Sequence, residues 1–229
     1  MKALWWLLVW FCVPGAAFAA SGQASPGGKS ILEKVEWTWA ERPATIDPAL
    51  PNVLLVGDSI TRAYFQDVAK LLTGKANVYL FATSAAAGDP RLPKQLHDYF
   101  AMEHPIFAVI QFNNGMHGWG YSEAAYSAGL PGMVRALQRG APGARLIWAS
   151  TTPVHSTDES GASNDRIDAR NAAALNLMKR LAIPVDDQHL LMSAHDDLHA
   201  GGVHYKPEGS QIQAQQAAQM VGDSLSRGK

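Results

Sequence analysis

Ser59 stands in the run Gly57-Asp58-Ser59-Ile60-Thr61, directly after the apolar stretch Val53-Leu54-Leu55-Val56. A serine hydroxyl delivered at the carboxyl end of a buried strand lies where ligands and chemistry collect in open α/β sheets. The same tripeptide also reads as an ordinary strand-to-helix turn, with Asp58 or Ser59 capping the helix. Two later groups bear on the choice. One is Phe112-Asn113-Asn114-Gly115-Met116-His117-Gly118-Trp119, and the other is Gly201-Gly202-Val203-His204-Tyr205. Serine is a poor nucleophile at its own pKa and needs a base within hydrogen-bond reach. A histidine far along the chain can supply it, because such centres are defined by geometry and not by order. A carbonyl under attack also needs donors aimed at its developing negative charge. An asparagine amide and backbone N–H groups serve, each worth about 3–4 kcal/mol. The chemistry open to these residue types together is acyl transfer.

The elements that must position them alternate along the chain. Strand candidates are Val53–Val56, Val78–Phe81, Phe107–Phe112, Arg145–Ala149 and Ile183–Val185. Helix candidates are Thr61–Leu72, Pro90–Phe100, Ser122–Gln138, Asp165–Leu181 and Pro207–Ser226. The runs VLLV and FAVIQF are continuous and not alternating, as in strands buried on both faces. Strand–helix alternation implies a parallel sheet with right-handed crossovers. Pro207 fits the first turn of the last helix. Pro131 predicts that its helix is kinked or starts late.

Residues 1–20 read as a secretory signal peptide. Met1-Lys2 is followed by an apolar stretch to Val13, a Pro14-Gly15 break and the small residues Ala16 to Ala20. The stretch is shorter than the roughly 20 residues a spanning helix needs, so no stable membrane anchor is expected. The single cysteine, Cys12, lies inside it, which leaves the remaining chain no disulfide or thiol chemistry. A secreted or periplasmic location follows. Residues 21–50 read as a flexible leader, from Ser21 to Ser30, and a packing segment that carries Trp37 and Trp39. A formal net charge of −1 argues against a nucleic-acid partner. The oligomeric state is open.

With these residues in view, the chain from Val53 to about Met220 resembles the SGNH (GDSL-type) hydrolases, a broad group of esterases and lipases. Gly57-Asp58-Ser59-Ile60 matches the first family block, which implies Ser59 as nucleophile. Asn113-Asn114-Gly115 matches the third, which implies Asn114 as an oxyanion donor, with Asn113 as the other reading. Gly202-Val203-His204-Tyr205 and Pro207-Glu208-Gly209 match the last, which implies His204 as base. The second block places a backbone N–H of Ser84 or Ala85 in the oxyanion pocket beside that of Ser59. The implied fold is a three-layer α/β/α sandwich with a mostly parallel five-stranded sheet, flavodoxin-like in outline, over residues 51–229. The implied activity is hydrolysis of a small acyl ester, preferably an acetylated carbohydrate, with no cofactor. A lipase or lysophospholipase is the rival enzyme, and a non-catalytic carbohydrate-binding protein the rival of another class.

One departure stands out. The family usually carries an aspartate three residues before the base, and here that position is Gly201. A Ser–His dyad, or a substitute acid from Asp196 or Asp197, would meet the need. Asp196 also forms an Asp-x-x-His pair with His199, which makes His199 a rival base. Around the Asn114 turn, Asn113, His117 and Trp119 are candidates for substrate binding. Trp119 either stacks on a sugar ring or buries under its loop. His155, past another strand end, either borders the site or, the preferred reading, is a solvated loop residue. His195 and His199 have a chelating spacing, but Gly201-Gly202 follows at once, and no metal is expected. Asp186-Asp187 could serve as an acid/base pair of the kind used on glycosides, but reads rather as a solvated strand end or a helix cap. Arg166, Arg170, Lys179 and Arg180 read as the solvated face of their helix.

Overall fold

The computed structural model describes residues 29–103, 105–155 and 161–227. The signal-peptide reading and most of the Ser21–Ser30 leader lie outside the described residues. The elements are β1 (Thr38–Glu41), β2 (Asn52–Gly57), α1 (Ser59–Leu71), β3 (Asn77–Thr83), α2 (Arg91–Glu103), β4 (Phe107–Phe112) and α3 (Glu123–Gly140). They continue with β5 (Arg145–Ala149), α4 (Asn164–Arg180), β6 (Val185–Asp186), α5 (Gln188–Ser193), a short 3-10 turn at Asp196–Leu198, and α6 (Pro207–Ser226).

The strands form one sheet in the order β1-β3-β2-β4-β5-β6. All neighbours run parallel except β1, which pairs antiparallel with β3. The sheet therefore has six strands, not the five expected. The extra strand is β1, with the sequence TWAE. It pairs on one side only and is largely exposed, so it carries no apolar run to reveal it. Helix α3 starts at Glu123 and continues across Pro131, so the expected late start does not occur. Helix α5 was not foreseen, but Asp187 caps it by accepting from the Leu190 N–H, one of the roles read for that pair.

Both faces of the sheet are covered, as the continuous apolar strands require. In β2, Leu54 and Val56 face one core, with Leu92 and Leu96 of α2, Met133 and Leu137 of α3, and Met178 of α4. Val53 and Leu55 face the other, with Tyr64, Phe65 and Val68 of α1 and Ala214, Ala217 and Val221 of α6. Among the described residues, no helix is long and apolar enough to cross a membrane.

Helix α3 comes unusually close to the loop after β3. A Cβ on Gly129 would lie 1.8 Å from the Ala87 carbonyl oxygen, a contact that demands a backbone shift. In α6, by contrast, a Cβ on Gly222 would meet nothing within 4 Å. Gly129→Ala is therefore expected to lower unfolding free energy by about 1–3 kcal/mol in denaturant titration, despite alanine's better helix propensity. Gly222→Ala is expected to raise it by about 0.4–1 kcal/mol in the same assay.

Candidate active site

Ser59 opens α1 immediately beyond β2. Gly57 allows the tight entry, since a Cβ there would fall 2.0 Å from the Thr61 hydroxyl. Asp58 caps the helix by accepting from the Ile60 N–H at 3.0 Å. Its other oxygen accepts from the Met116 N–H at 3.2 Å, which ties the Ser59 turn to the loop after β4. The cap role thus falls to Asp58 and leaves the Ser59 hydroxyl for another partner. That partner is His204, whose Nε2 lies 2.9 Å from the Ser59 oxygen.

The loop that carries His204 is held at both ends. The Ala200 N–H donates to the His204 carbonyl and the Lys206 N–H to the Leu198 carbonyl, each at 2.8 Å. The His155 N–H donates to the Gly202 carbonyl at 2.9 Å, and the Tyr205 hydroxyl to the Pro153 carbonyl at 3.1 Å. The rival base, His199, is buried and stacked on Tyr205 at 4.2 Å. Its ring nitrogens face the carbonyls of Asp196 and Pro153 at 3.0 and 3.2 Å. The contact to Ser59 belongs to His204.

The Asp196 carboxylate lies 3.0 Å from Nδ1 of the exposed His155 and 3.5 Å from Nδ1 of His199. Lys206 holds the Asp197 carbonyl at 2.8 Å. Gly201 has φ +104°, a conformation that strains any residue with a Cβ, so an aspartate at the family position would not fit this loop without rearrangement. Among the described residues, His155, Asp196 and His199 form a grouping of metal-ligand types within 4.8 Å of one another. It does not include His195, and the His199 nitrogens in it already meet carbonyl oxygens.

The two loops read as oxyanion donors meet beside Ser59. Asn114 is buried, and its amide Nδ2 donates to the Ala85 carbonyl and, at 3.4 Å, to the Thr83 carbonyl. The Ala85 N–H donates to the Thr83 hydroxyl at 3.2 Å. Asn113 faces the other way. Its amide donates to the Ala149 carbonyl and to the Thr151 hydroxyl, and its oxygen accepts from the Gly115 N–H. It holds the loop against the end of β5, so the substrate-binding role expected of Asn113 is overturned.

Trp119 is corrected as well. It is only 7% exposed, and the Arg170 guanidinium covers its ring at 3.9 Å, which leaves no face for a sugar. Arg170 itself was read as solvated and is fully buried. It donates to the carbonyls of Gly115, His117 and Gly118, at 2.9, 2.7 and 3.1 Å, and so shapes the whole turn after Asn114. Burial, partly offset by Tyr126 and Glu123, pushes its pKa down to about 10. The sequence held a signal for this: Ile167, Ala174 and Leu177 are buried at helical spacing around position 170.

His117 is partly buried and pairs with Glu33, which reading the sequence alone missed. His117 Nδ1 lies 2.8 Å from one Glu33 oxygen, and the Gly118 N–H donates to the other at 2.7 Å. Burial alone would lower the His117 pKa, but the Glu33 hydrogen bond and the charges of Asp58, Glu33 and Glu36 outweigh it and hold it above 6.5. Burial alone would raise the Glu33 pKa, but His117 and the Gly118 N–H hold it below 4.5. Glu33 belongs to a segment laid across the site's loops. Ser30 donates to Asp89, the Ile31 N–H to the Tyr121 hydroxyl, and the Trp37 N–H to the Ser84 hydroxyl.

Two outcomes follow. Arg170→Met strands three loop carbonyls, and should cost about 3 kcal/mol in unfolding free energy. Glu33→Gln should destabilise most between about pH 4.5 and 6.5. The raised His117 pKa stabilises fully below its unfolded value, and that contribution is lost as pH rises through the folded one. The lowered Glu33 pKa stabilises above its unfolded value, and that contribution is lost as pH falls through the folded one. Thermal unfolding across pH 3–9 is the check; a wild-type-minus-variant difference that does not vary with pH would rule the pair out as an ionic one.

No protein-family model and no curated protein sequence matches the chain. Solved structures do. A GDSL-like lipase from Parabacteroides merdae is 16% identical, with a TM-score of 0.63, over 76% of this chain and 96% of that one. A carbohydrate esterase family 3 protein from Talaromyces cellulolyticus is 18% identical, with a TM-score of 0.58, over 77% and 99%. A serine-to-alanine mutant of an acetyl esterase, with acetate ion, is 17% identical, with a TM-score of 0.59, over 78% and 100%. With its nearly all-parallel sheet, helices on both faces and Ser59 at the first strand-to-helix turn, the chain has the fold of the SGNH (GDSL-type) hydrolases.

Proposed function

We propose that the protein is a serine esterase of the SGNH type that hydrolyses short-chain esters, chiefly acetyl esters, on carbohydrate. The observation that carries this is the 2.9 Å contact between Ser59 and His204 at the carboxyl edge of a parallel sheet, next to the paired Asn114 and Ala85 loops. Ser59 attacks the ester carbonyl carbon and passes its proton to His204 Nε2, which requires the ring proton to sit on Nδ1 beforehand. The oxyanion that forms is met by the Ser59 N–H and by Asn114, and by the Ala85 N–H when it gives up its 3.2 Å bond to the Thr83 hydroxyl. An amide nitrogen has two hydrogens, and one of those on Asn114 makes only the long contact to the Thr83 carbonyl, so it is the one to offer the oxyanion. The intermediate collapses, the alcohol leaves with the proton from His204, and a water deprotonated by His204 then releases the acid.

The acetyl and carbohydrate preference is supported by two structural neighbours, an acetyl esterase and a carbohydrate esterase. Action outside the cytoplasm is supported by the composition of residues 1–20.

The test is 4-nitrophenyl acetate hydrolysis. Ser59→Ala and His204→Ala should abolish turnover above background. Asn114→Ala should lower kcat about 10²–10³-fold with little change in KM, as expected for a group used in the transition state. Turnover that survives Ser59→Ala would end the proposal. A preference for octanoyl over acetyl esters would move the protein to the lipases, and sugar binding without turnover of any ester would make it a binding protein.

A further inference from the structure

Beside Ser59 stands a second group of side chains that the hydrolytic steps do not use. Arg62 lies three residues along α1, so it shares a helix face with Ser59, with Cβ atoms about 5–6 Å apart. Its guanidinium sits 4.5 Å from the centroid of the Trp39 ring and 5.9 Å from that of Trp37. The Trp37 ring meets His117 edge-on at 5.7 Å. The Trp37 backbone is tied to Ser84, through its N–H to the Ser84 hydroxyl and its carbonyl to the Ser84 N–H. The wall thus runs from the oxyanion loops to the first turn of α1.

Among the described residues, no carboxylate takes up the charge on this wall. Arg42 pairs with Glu103, Arg91 with Asp89 and Glu36, and Arg166 with Glu123. Among the described residues, no carboxylate pairs with the exposed Arg62. The nearby Glu41 is taken by the Trp39 indole N–H and by Gln66. A guanidinium laid against an aromatic ring keeps its N–H edge free, and that edge matches a planar carboxylate through two parallel hydrogen bonds. Trp39 is itself 46% exposed and offers apolar surface next to that edge. Tryptophan suits the apolar face of a pyranose.

We infer that Arg62, held by Trp39 and Trp37, is the specificity-determining residue of a subsite for a carboxylate on the substrate, so that the esters taken are those of acidic sugars. This rests on the esterase reading and names the substrate class for the same centre.

The test has two arms. In the first, Ser59→Ala protein is titrated with unacetylated tri-galacturonate and with neutral xylotriose by calorimetry. The uronate should bind the more tightly, and adding Arg62→Met should weaken uronate binding at least tenfold while moving xylotriose binding less than twofold. In the second, kcat/KM is measured on acetylated oligogalacturonate and on 4-nitrophenyl acetate. Arg62→Met should lower the ratio of the two at least tenfold, mainly through KM, and Arg62→Lys should recover part of it. Equal losses on both substrates, or no preference for uronate over xylotriose, overturn the inference. Uronate binding that depends on Arg62 in a protein that turns over no ester supports the subsite and overturns the esterase reading instead.

Discussion

The site depends on a buried cation that no carboxylate fully neutralises. Removing a guanidinium from water is costly unless its donors are met. For Arg170 the two terminal nitrogens are met by three carbonyls of a single turn, at Gly115, His117 and Gly118, while Nε makes no hydrogen bond among the described residues. The penalty is offset only while that turn keeps its shape, so the need to solvate Arg170 specifies the backbone on which Asn114 and His117 sit. Trp119 completes the arrangement by covering the face of the same group. Glu123 stays 3.8 Å away and is spent mainly on Arg166.

From this turn, short links reach the other parts of the centre. The Asp58 carboxylate joins the Met116 N–H to the first turn of α1, and so sets Ser59 against the β4 loop. The Asn114 amide reaches the carbonyl of Ala85 and so joins the ends of β4 and β3. Glu33 takes His117 and the Gly118 N–H from the solvent side. Three strand ends and one N-terminal segment are thus held by polar contacts that are largely buried. In such surroundings each contact is stronger, and each loss costlier, than in water. Rigid placement of this kind is what a centre relying on preorganised donors requires.

The parallel sheet, its two-sided cores and the carboxyl-edge position of Ser59 were legible because continuous apolar strands and helical periodicity report burial directly. Strand β1 was not, because a four-residue edge strand buries too little to leave a pattern. Asn113 and Asn114 are adjacent and chemically identical, and the sequence has no means to say which one the twist of the strand end turns toward Ala85 and which toward Ala149. Trp119 left two environments open, and the choice was made by Arg170, a residue far away in sequence. The charge of Arg170 points to solvent, whereas its place on the buried stripe with Ile167 and Ala174 points to the core, and the stripe prevails.

The sequence by itself determined the order and type of the main elements, the turn that exposes a serine hydroxyl, and the residue types a hydrolytic centre needs. These follow from local rules, namely apolar runs, caps and breakers, which act over a few residues. Only the tertiary structure decided that His204 and not His199 reaches Ser59, that Glu33 lies over the site to meet His117, and that the exposed Arg62 lies against Trp39. Each of these is a contact between segments distant along the chain. Such contacts are set by how crossovers and loops pack over the sheet edge, and no local pattern encodes that distance.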